Sequence, residues 1–134
     1  HLKKLSESLG IARQTVFAAK VSNVQDYYAA FDIFVLPTLS EGLGITILEA
    51  MTYELPIVAT SVGGIPEWLT HEKNAILVPP NNVFAIRTAL QSYLENAELA
   101  EKHGRQAKQD ILARGISEEE MVKQTWLVLK EAAL

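Results

Sequence analysis

The chain alternates short apolar runs with stretches of helical spacing. Apolar runs cover residues 33–36, 57–60 and 75–78, and a shorter β-type run covers 15–18. Continuous apolar runs of this length are typical of strands that are covered on both faces, as in a parallel sheet. We therefore predict strands at these positions.

Helical spacing occupies the segments around these runs. It predicts helices over 2–9, 24–30, 44–53, a short stretch beginning at Pro66, 83–95, 97–113, and a last helix that begins near Ser117. Strands that alternate with helices, followed by helices alone, predict an α/β fold with a doubly wound parallel sheet and a helical C-terminal tail.

Polar residues at the helix starts predict several caps. Ser22 or Asn23 precedes the helix over 24–30, and Ser22 with Gln25 has the spacing of a capping box. Asn82 is positioned to cap the helix over 83–95. Ser117-Glu118-Glu119-Glu120 predicts a second capping box at the start of the last helix.

The composition is that of one globular domain. The 134 residues suffice for a hydrophobic core, and no apolar run approaches the length of a membrane span. The net charge of −4 argues against nucleic acid as a partner. The absence of Cys excludes disulfides and fits a cytoplasmic location. Membrane association of a longer protein stays open.

The distribution of positive charge is uneven. Residues 21–72 contain no Lys and no Arg. If this segment binds phosphate, backbone N–H groups and a helix N-terminus must hold it, with a cation from Lys20 or from outside the chain. The first residue is His, so we expect residues 1–134 to form a single domain that is truncated at its N-terminus.

Candidate chemistry concentrates between residues 41 and 64. The three His residues match no metal spacing, no Asp-x-Asp pair occurs, and no phosphate-loop Lys motif appears, so we expect no metal site. By elimination, the candidates are Glu41, Glu49, the backbone of 42–44 and the Gly63-Gly64 loop. Seven residues separate the two carboxylates. Ligands of parallel α/β sheets bind beyond the carboxyl ends of the strands, where Glu41 and the first turn of the Glu49 helix fall.

Several motifs in order carry a resemblance to a known family. They are Pro37-Thr38-Leu39-Ser40-Glu41-Gly42-Leu43-Gly44, Leu48-Glu49-Ala50-Met51, Pro56-Ile57-Val58-Ala59 and Gly63-Gly64-Ile65-Pro66-Glu67. Together they resemble the family-4 glycosyltransferases, which are retaining enzymes of the two-domain GT-B type. The match covers the nucleotide-sugar-binding C-terminal domain, from about residue 16 to 134, and not the acceptor-binding domain.

The resemblance implies a role for each motif residue. Glu41 would bind hydroxyls of the donor sugar and stabilise positive charge at the reacting carbon. Gly42, Leu43 and Gly44 would present backbone N–H groups to the sugar and diphosphate. Glu49 would accept hydrogen bonds from the two ribose hydroxyls. The implied partners are an NDP-sugar and an acceptor that is held by a missing N-terminal domain, and no metal is required.

The chain also departs from the family pattern. Glu54 stands where the family usually has Gly, and a positive φ there would strain it modestly. Ala75 replaces a common Gly. An Arg and a Lys that neutralise the diphosphate in the family are absent from residues 1–20 at the expected place. We therefore expect them before His1, and we expect this chain to be inactive by itself.

Other interpretations stay open at the level of the sequence. Glu41 and Glu49 are also compatible with solvated surface carboxylates, and Gly63-Gly64 with a plain turn after a strand. Glu67 is more typical of a favourable charge in the first turn of a helix than of a ligand contact. For the whole, the alternatives are a non-catalytic α/β binding or regulatory module, or a GT-B-like sugar-nucleotide epimerase or phosphorylase.

Overall fold

The computed structural model describes residues 1–115 as a three-layer α/β unit. The strands are β1 (Phe34–Leu36), β2 (Ile57–Thr60) and β3 (Ile76–Val78). The helices are α1 (Leu2–Ser8), α2 (Val24–Ala30), α3 (Ile45–Thr52), α4 (Ile65–Trp68), α5 (Val83–Glu95) and α6 (Ala97–Ala113). Where the sequence predicts the first or last residue of one of these elements, the observed residue lies within two positions of it.

The three strands form one parallel sheet in the order β1-β2-β3. Val58, at the centre, pairs with Val35 of β1 and Ile76 of β3. Since α3 connects β1 to β2 and α4 connects β2 to β3, the carboxyl ends of all three strands lie at the same end of the sheet. The predicted α/β fold class with a parallel sheet is confirmed.

Helices cover both faces of the sheet. On one face, Ile57 and Ala59 pack under α3, α4 and the end of α6. On the other face, Val58 and Val78 pack against Ala89 and Tyr93 of α5. Alternate residues of β2 therefore enter opposite cores, and all four residues of this strand are buried. This two-sided burial explains why its sequence is uniformly apolar.

Strand β1 is covered on its faces but not at its outer edge. Phe34 and Leu36 pack into one core, and Ile33 and Val35 pack into the other, as their apolar run predicts. All three strand residues are nevertheless only partly buried. Within residues 1–115, the ladder of β1 extends only to β2, which leaves the other edge open.

The predicted β-type run at 15–18 is wrong. These residues form no strand, and Val16 is 87% exposed. An extended segment becomes a strand only when a neighbour completes its hydrogen bonds, and this segment does not pair with the open edge of β1. Its β propensity is therefore not expressed.

The caps follow the sequence in part. The Asn82 side chain accepts a hydrogen bond from the Ala85 N–H at 2.9 Å, as predicted. The capping box of Ser22 and Gln25 is wrong, because Asn23 is the N-cap and makes no cap hydrogen bond. Its amide donates to the Asp26 carboxylate instead. The capping box at Ser117, the last helix and its apolar stripe lie outside the described residues.

The position of Glu54 has the backbone conformation that the family pattern implies. Its φ is 57°, in the left-handed region that favours Gly. The side chain forms a 2.8 Å ion pair with Lys108 of α6. The predicted strain is therefore present at this turn between α3 and β2.

Among residues 1–115, no helix is long and apolar enough to cross a membrane.

Candidate functional site

Residues 37–44, which we call the site loop, leave the carboxyl end of β1 and lead into α3. Within this loop, the Gly44 N–H donates to Oε1 of Glu41 at 3.3 Å. Glu41 is half-buried, while Gly42 and Leu43 are exposed. The carboxylate of Glu41 is thus fixed over the first turn of α3 rather than free in solvent.

Gly44 is the residue at which the loop becomes a helix. It adopts a left-handed conformation with φ 71° and ψ 47°, and its carbonyl accepts from the Ile47 N–H at 2.8 Å. A residue with a side chain is disfavoured in this conformation, so glycine allows the chain to enter α3 abruptly. The N-terminus of α3, with its partial positive charge, therefore lies directly beside Glu41.

The Gly63-Gly64 loop packs against the site loop by direct backbone contact. A Cβ added at Gly63 would lie 1.8 Å from the Glu41 carbonyl oxygen, and one at Gly64 would lie 2.1 Å from that of Gly42. The Gly64 N–H donates to the Glu41 carbonyl at 3.2 Å. These glycines therefore do more than turn the chain after β2. They hold the backbone on which Glu41 stands.

Thr60 is a second support of the site loop, and it was not predicted from the sequence. Its buried hydroxyl, at the carboxyl end of β2, donates to the Thr38 carbonyl at 2.6 Å. The Thr38 hydroxyl donates in turn to the Ser40 carbonyl at 2.8 Å. Thr38 thus fixes the loop by a bond from its side chain to the backbone. Thr60 resembles any other strand residue in the sequence, so only its place beside β1 reveals its function.

Glu49 lies in the middle of α3 and is half-buried. Ile47 and Met51 are buried on one side of α3, and Leu48 is partly buried. Glu49 is not simply solvated on the other side, because its Oε2 accepts a hydrogen bond from the Tyr28 hydroxyl at 2.8 Å. Sequence analysis missed Tyr28. A buried tyrosine hydroxyl needs a hydrogen-bond partner, but this rule does not say that the partner is Glu49.

A cavity of about 460 Å³ opens beside Glu49, between α3 and the end of α6. Its lining includes Ile45, Leu48 and Thr52 from α3, and Ile111 and Leu112 from α6. A larger cavity of about 530 Å³ lies between β3, α5 and α6. That larger cavity contains none of the predicted site residues, so its size does not mark the site.

The structure thus brings together most of the predicted site. Glu41, Gly42 and Leu43 meet the Gly63-Gly64 loop at the carboxyl end of the sheet. Gly44 begins α3 beside Glu41, and Glu49 lies on that helix. Glu67 is exposed in the first turn of α4, which fits its interpretation as a helix-start charge. Among residues 1–115, no group of three or more His, Asp or Glu side chains is placed to hold a metal ion.

This arrangement offers two kinds of binding chemistry. Two carboxylates can accept hydrogen bonds from hydroxyl groups. Backbone N–H groups at the start of α3 can donate to an anion. Since residues 21–72 contain no Lys or Arg, these residues themselves can stabilise a bound anion only through backbone dipoles.

Comparison with known proteins identifies the family of the chain. The family model of glycosyl transferases group 1 matches residues 1–110. The chain is 33% identical over 97 residues to the lipopolysaccharide core biosynthesis mannosyltransferase LpsB of Rhizobium meliloti, covering 71% of this chain and 28% of that protein. It is 33% identical over 134 residues to an uncharacterized glycosyltransferase of Methanocaldococcus jannaschii, covering 98% of this chain and 34% of that protein.

Solved structures show the same fold. Anabaena HepE in complex with UDP-glucose superposes with a TM-score of 0.90 at 22% identity, over 97% of this chain and 36% of HepE. The folds of such neighbours are those of GT-B glycosyltransferases, and the parallel α/β sheet predicted from the sequence matches the Rossmann-like half of that fold. The chain spans about a third of the length of these relatives. On the family match, which covers most of its residues, the chain belongs to the glycosyl transferases group 1 family.

Proposed function

We propose that the chain is the nucleotide-sugar-binding domain of a family-4 retaining glycosyltransferase, which transfers a sugar from an NDP-sugar to an acceptor hydroxyl. The observation that carries the proposal is the placement of Glu41 against the N-terminus of α3, with Glu49 on the same helix. One structural neighbour, HepE, was solved in complex with UDP-glucose, which supports an NDP-sugar as ligand.

In the proposed mode of binding, each group has one task. Glu41 accepts hydrogen bonds from the donor sugar and stabilises positive charge that develops at the reacting carbon. Gly42, Leu43 and Gly44 offer backbone N–H groups to the sugar and diphosphate, and the start of α3 stabilises the departing diphosphate. Glu49 accepts from the ribose hydroxyls.

The proposal places the acceptor site and the diphosphate-neutralising cations outside this chain. It therefore expects the 134 residues by themselves to transfer no sugar. It also expects the longer protein to act in the cytoplasm and to keep its activity in the presence of a chelator. Sugar transfer by the isolated chain, at a rate comparable with that of the longer protein, would contradict this division of the site.

Calorimetric titration with UDP, GDP and ADP tests the proposal. We expect one of these nucleotides to bind the longer protein, and Glu49→Ala to weaken its binding. Glu95→Ala, which removes an exposed carboxylate at the end of α5, is the matched control and should leave the affinity unchanged. If the protein binds none of these nucleotides or their sugar conjugates, the chain is a binding module of another kind. If a nucleotide does bind, analysis of the reaction products of the longer protein distinguishes sugar transfer from epimerisation or phosphorolysis.

A further inference from the structure

The contact between Tyr28 and Glu49 joins two helices that are distant in the sequence. The Tyr28 hydroxyl donates to Oε2 of Glu49 at 2.8 Å and lies 3.4 Å from the Thr46 carbonyl. Only 4% of Tyr28 is exposed. The residue that the hydroxyl reaches is the carboxylate to which we assign ribose binding, so the contact bears on the site itself.

The ring of Tyr28 is held from three sides. It stacks on Tyr53 with a centroid distance of 5.5 Å, and it contacts Phe31 and Phe34 at 6.0 and 5.9 Å. A tyrosine has only two side-chain torsions, and packing on this scale fixes both. The hydroxyl is therefore a rigid donor, anchored in the core rather than on a surface loop.

The protonation state of Tyr28 suits this task. Burial, together with the hydrogen bond to Glu49 and its negative charge, raises the pKa of Tyr28 well above its ordinary value. The phenol consequently stays protonated, and thus a donor, throughout the neutral range. A fixed donor that stays protonated in this range is suited to holding a carboxylate in one orientation.

The carboxylate keeps capacity for a ligand. An ionised carboxylate has about four lone-pair positions, and Tyr28 uses one of them. Among residues 1–115, the side chain of Glu49 makes no other hydrogen bond, so Oε1 stays available. A glutamate that is free to rotate loses up to about 2 kcal/mol of side-chain entropy when a ligand orders it. Tyr28 removes part of that loss before the ligand arrives.

We propose that Tyr28 is a positioning residue, which holds the Glu49 carboxylate in the orientation that receives the two hydroxyls of a nucleotide ribose. This inference rests on the proposed function, because it assigns Glu49 to the ribose. It differs from a purely structural role in which Glu49 merely satisfies a buried hydroxyl. A structural role predicts a change in stability alone, whereas a positioning role predicts a change in preference for the ribose diol.

The test compares a nucleoside diphosphate with its 2′,3′-dideoxy analogue by calorimetry on the longer protein that contains this chain. We expect the wild type to prefer the ribose form, and Tyr28→Phe to weaken the binding of that form by about tenfold. Binding of the dideoxy form should not change. Tyr28→Phe keeps the ring and its packing, and a thermal melt verifies that the fold persists. In a Glu49→Ala background, Tyr28→Phe should have no further effect on the preference.

Tyr53→Phe is the matched control. It removes the hydroxyl of the ring that stacks on Tyr28, at a more exposed position, and should leave both affinities unchanged. Equal weakening of both ligands by Tyr28→Phe, or no weakening of either, would overturn the inference while the proposed function stands. A wild-type protein that binds no nucleoside diphosphate would overturn both. A wild type that binds both forms equally removes the ribose role of Glu49, and the inference with it.

Discussion

The two ends of the parallel sheet hold their loops in different ways. At the carboxyl end, the site loop is fixed mainly by backbone, since Gly63 and Gly64 bring one chain segment directly onto another. At the amino end, residues 70–75 form a turn before β3 that is fixed by buried side chains. We call it the amino-end turn. Asn74 in this turn and His103 from α6 are each only 1% exposed.

The amino-end turn satisfies its polar groups internally. Asn74 accepts from the Thr70 N–H at 2.7 Å and donates to the Asp110 carboxylate at 2.8 Å. The contacts of His103 with the Glu72 carbonyl, at 3.2 Å, and with the Tyr93 hydroxyl, at 2.9 Å, assign the proton to Nε2. The Nδ1 atom then accepts from Tyr93. Each of these polar groups thus has a hydrogen-bond partner within the protein.

The difference between the two loops shows how a fold can leave the side chains of a binding site available to a ligand. Side chains that fix a loop are no longer available to a ligand, and the amino-end turn uses its own in this way. The site loop is fixed mainly by close backbone contact, which only glycine permits, and the hydroxyls of Thr38 and Thr60 support it. The carboxylates of Glu41 and Glu49 can therefore remain at a position where a ligand can reach them. The predictions below test this contrast, from the largest effect to the smallest.

Alanine variants of four glycines distinguish the effect of close backbone contact on stability from the effect of a positive φ. Gly63 combines φ 54° with a contact of 1.8 Å, whereas Gly64 has only the contact, at 2.1 Å. Gly10 has only the positive φ, at 71°, and Gly42 has neither. We expect Gly63→Ala to lower the free energy of unfolding by about 2–5 kcal/mol, and Gly64→Ala by about 1–3 kcal/mol.

The two remaining variants are the controls of that series. We expect Gly10→Ala to cost about 1 kcal/mol and Gly42→Ala less than about 0.5 kcal/mol, both measured by urea unfolding. If Gly64→Ala proved as mild as Gly42→Ala, the backbone contact between the two loops would not support the site.

Removing Asn74 should destabilise the amino-end turn. The variant Asn74→Ala leaves the Thr70 N–H and the Trp68 carbonyl without a partner in the interior, and we expect a loss of about 2–3 kcal/mol. Asn82→Ala removes an exposed helix cap with one hydrogen bond and should cost about 1 kcal/mol. Urea unfolding of both variants measures the difference. Equal costs would show that burial of the Asn74 network contributes nothing.

The amino-end turn should also make stability depend on pH through His103. Burial lowers the pKa of His103 below its ordinary value of 6.5, while the Glu72 carbonyl and carboxylate oppose this and Lys102 and His71 add to it. Its contribution is complete above pH 6.5 and is lost as the pH falls through the lowered value, because the unfolded chain then binds a proton that the folded chain resists.

The measurement is the Tm as a function of pH between about 8 and 5. We expect His103→Gln to flatten the decline of Tm below pH 6.5, even if the variant is less stable throughout. The control is His1→Gln, which removes an exposed imidazole at the start of the chain and keeps His103 in place. An unchanged slope in His103→Gln would assign the decline to other groups.

The smallest effect concerns Glu54, which meets α6 beside the amino-end turn. Its φ of 57° favours Gly, and Gly104 of α6 approaches its carbonyl so closely that an added Cβ would lie 2.0 Å away. We expect Glu54→Gly to raise the Tm by a few degrees, because relief of strain outweighs an exposed ion pair with Lys108. Lys108→Ala removes the ion pair alone. A lower Tm in Glu54→Gly would mean that the ion pair is the stronger effect.

The predictions from sequence succeeded where structure is local. The helix over Ala97–Ala113, the Asn82 cap and the strand at β2 follow from periodicity, capping chemistry and apolar runs within a few residues. They failed where a partner decides, as at residues 15–18, whose β propensity requires a neighbouring strand. The capping box at Ser22 is a local prediction that failed, since Asn23 is the N-cap and its amide donates to Asp26 three residues later.

For the site, the sequence by itself determined which residue types are present and in what order. The two carboxylates, the glycines between them and the absence of Lys and Arg from residues 21–72 were all visible there. Only the tertiary structure decided that Gly63 lies on the Glu41 backbone and that Tyr28 reaches Glu49. The reason is physical. Local patterns fix torsions and faces, whereas contacts between distant segments depend on how parallel strands bring their ends together.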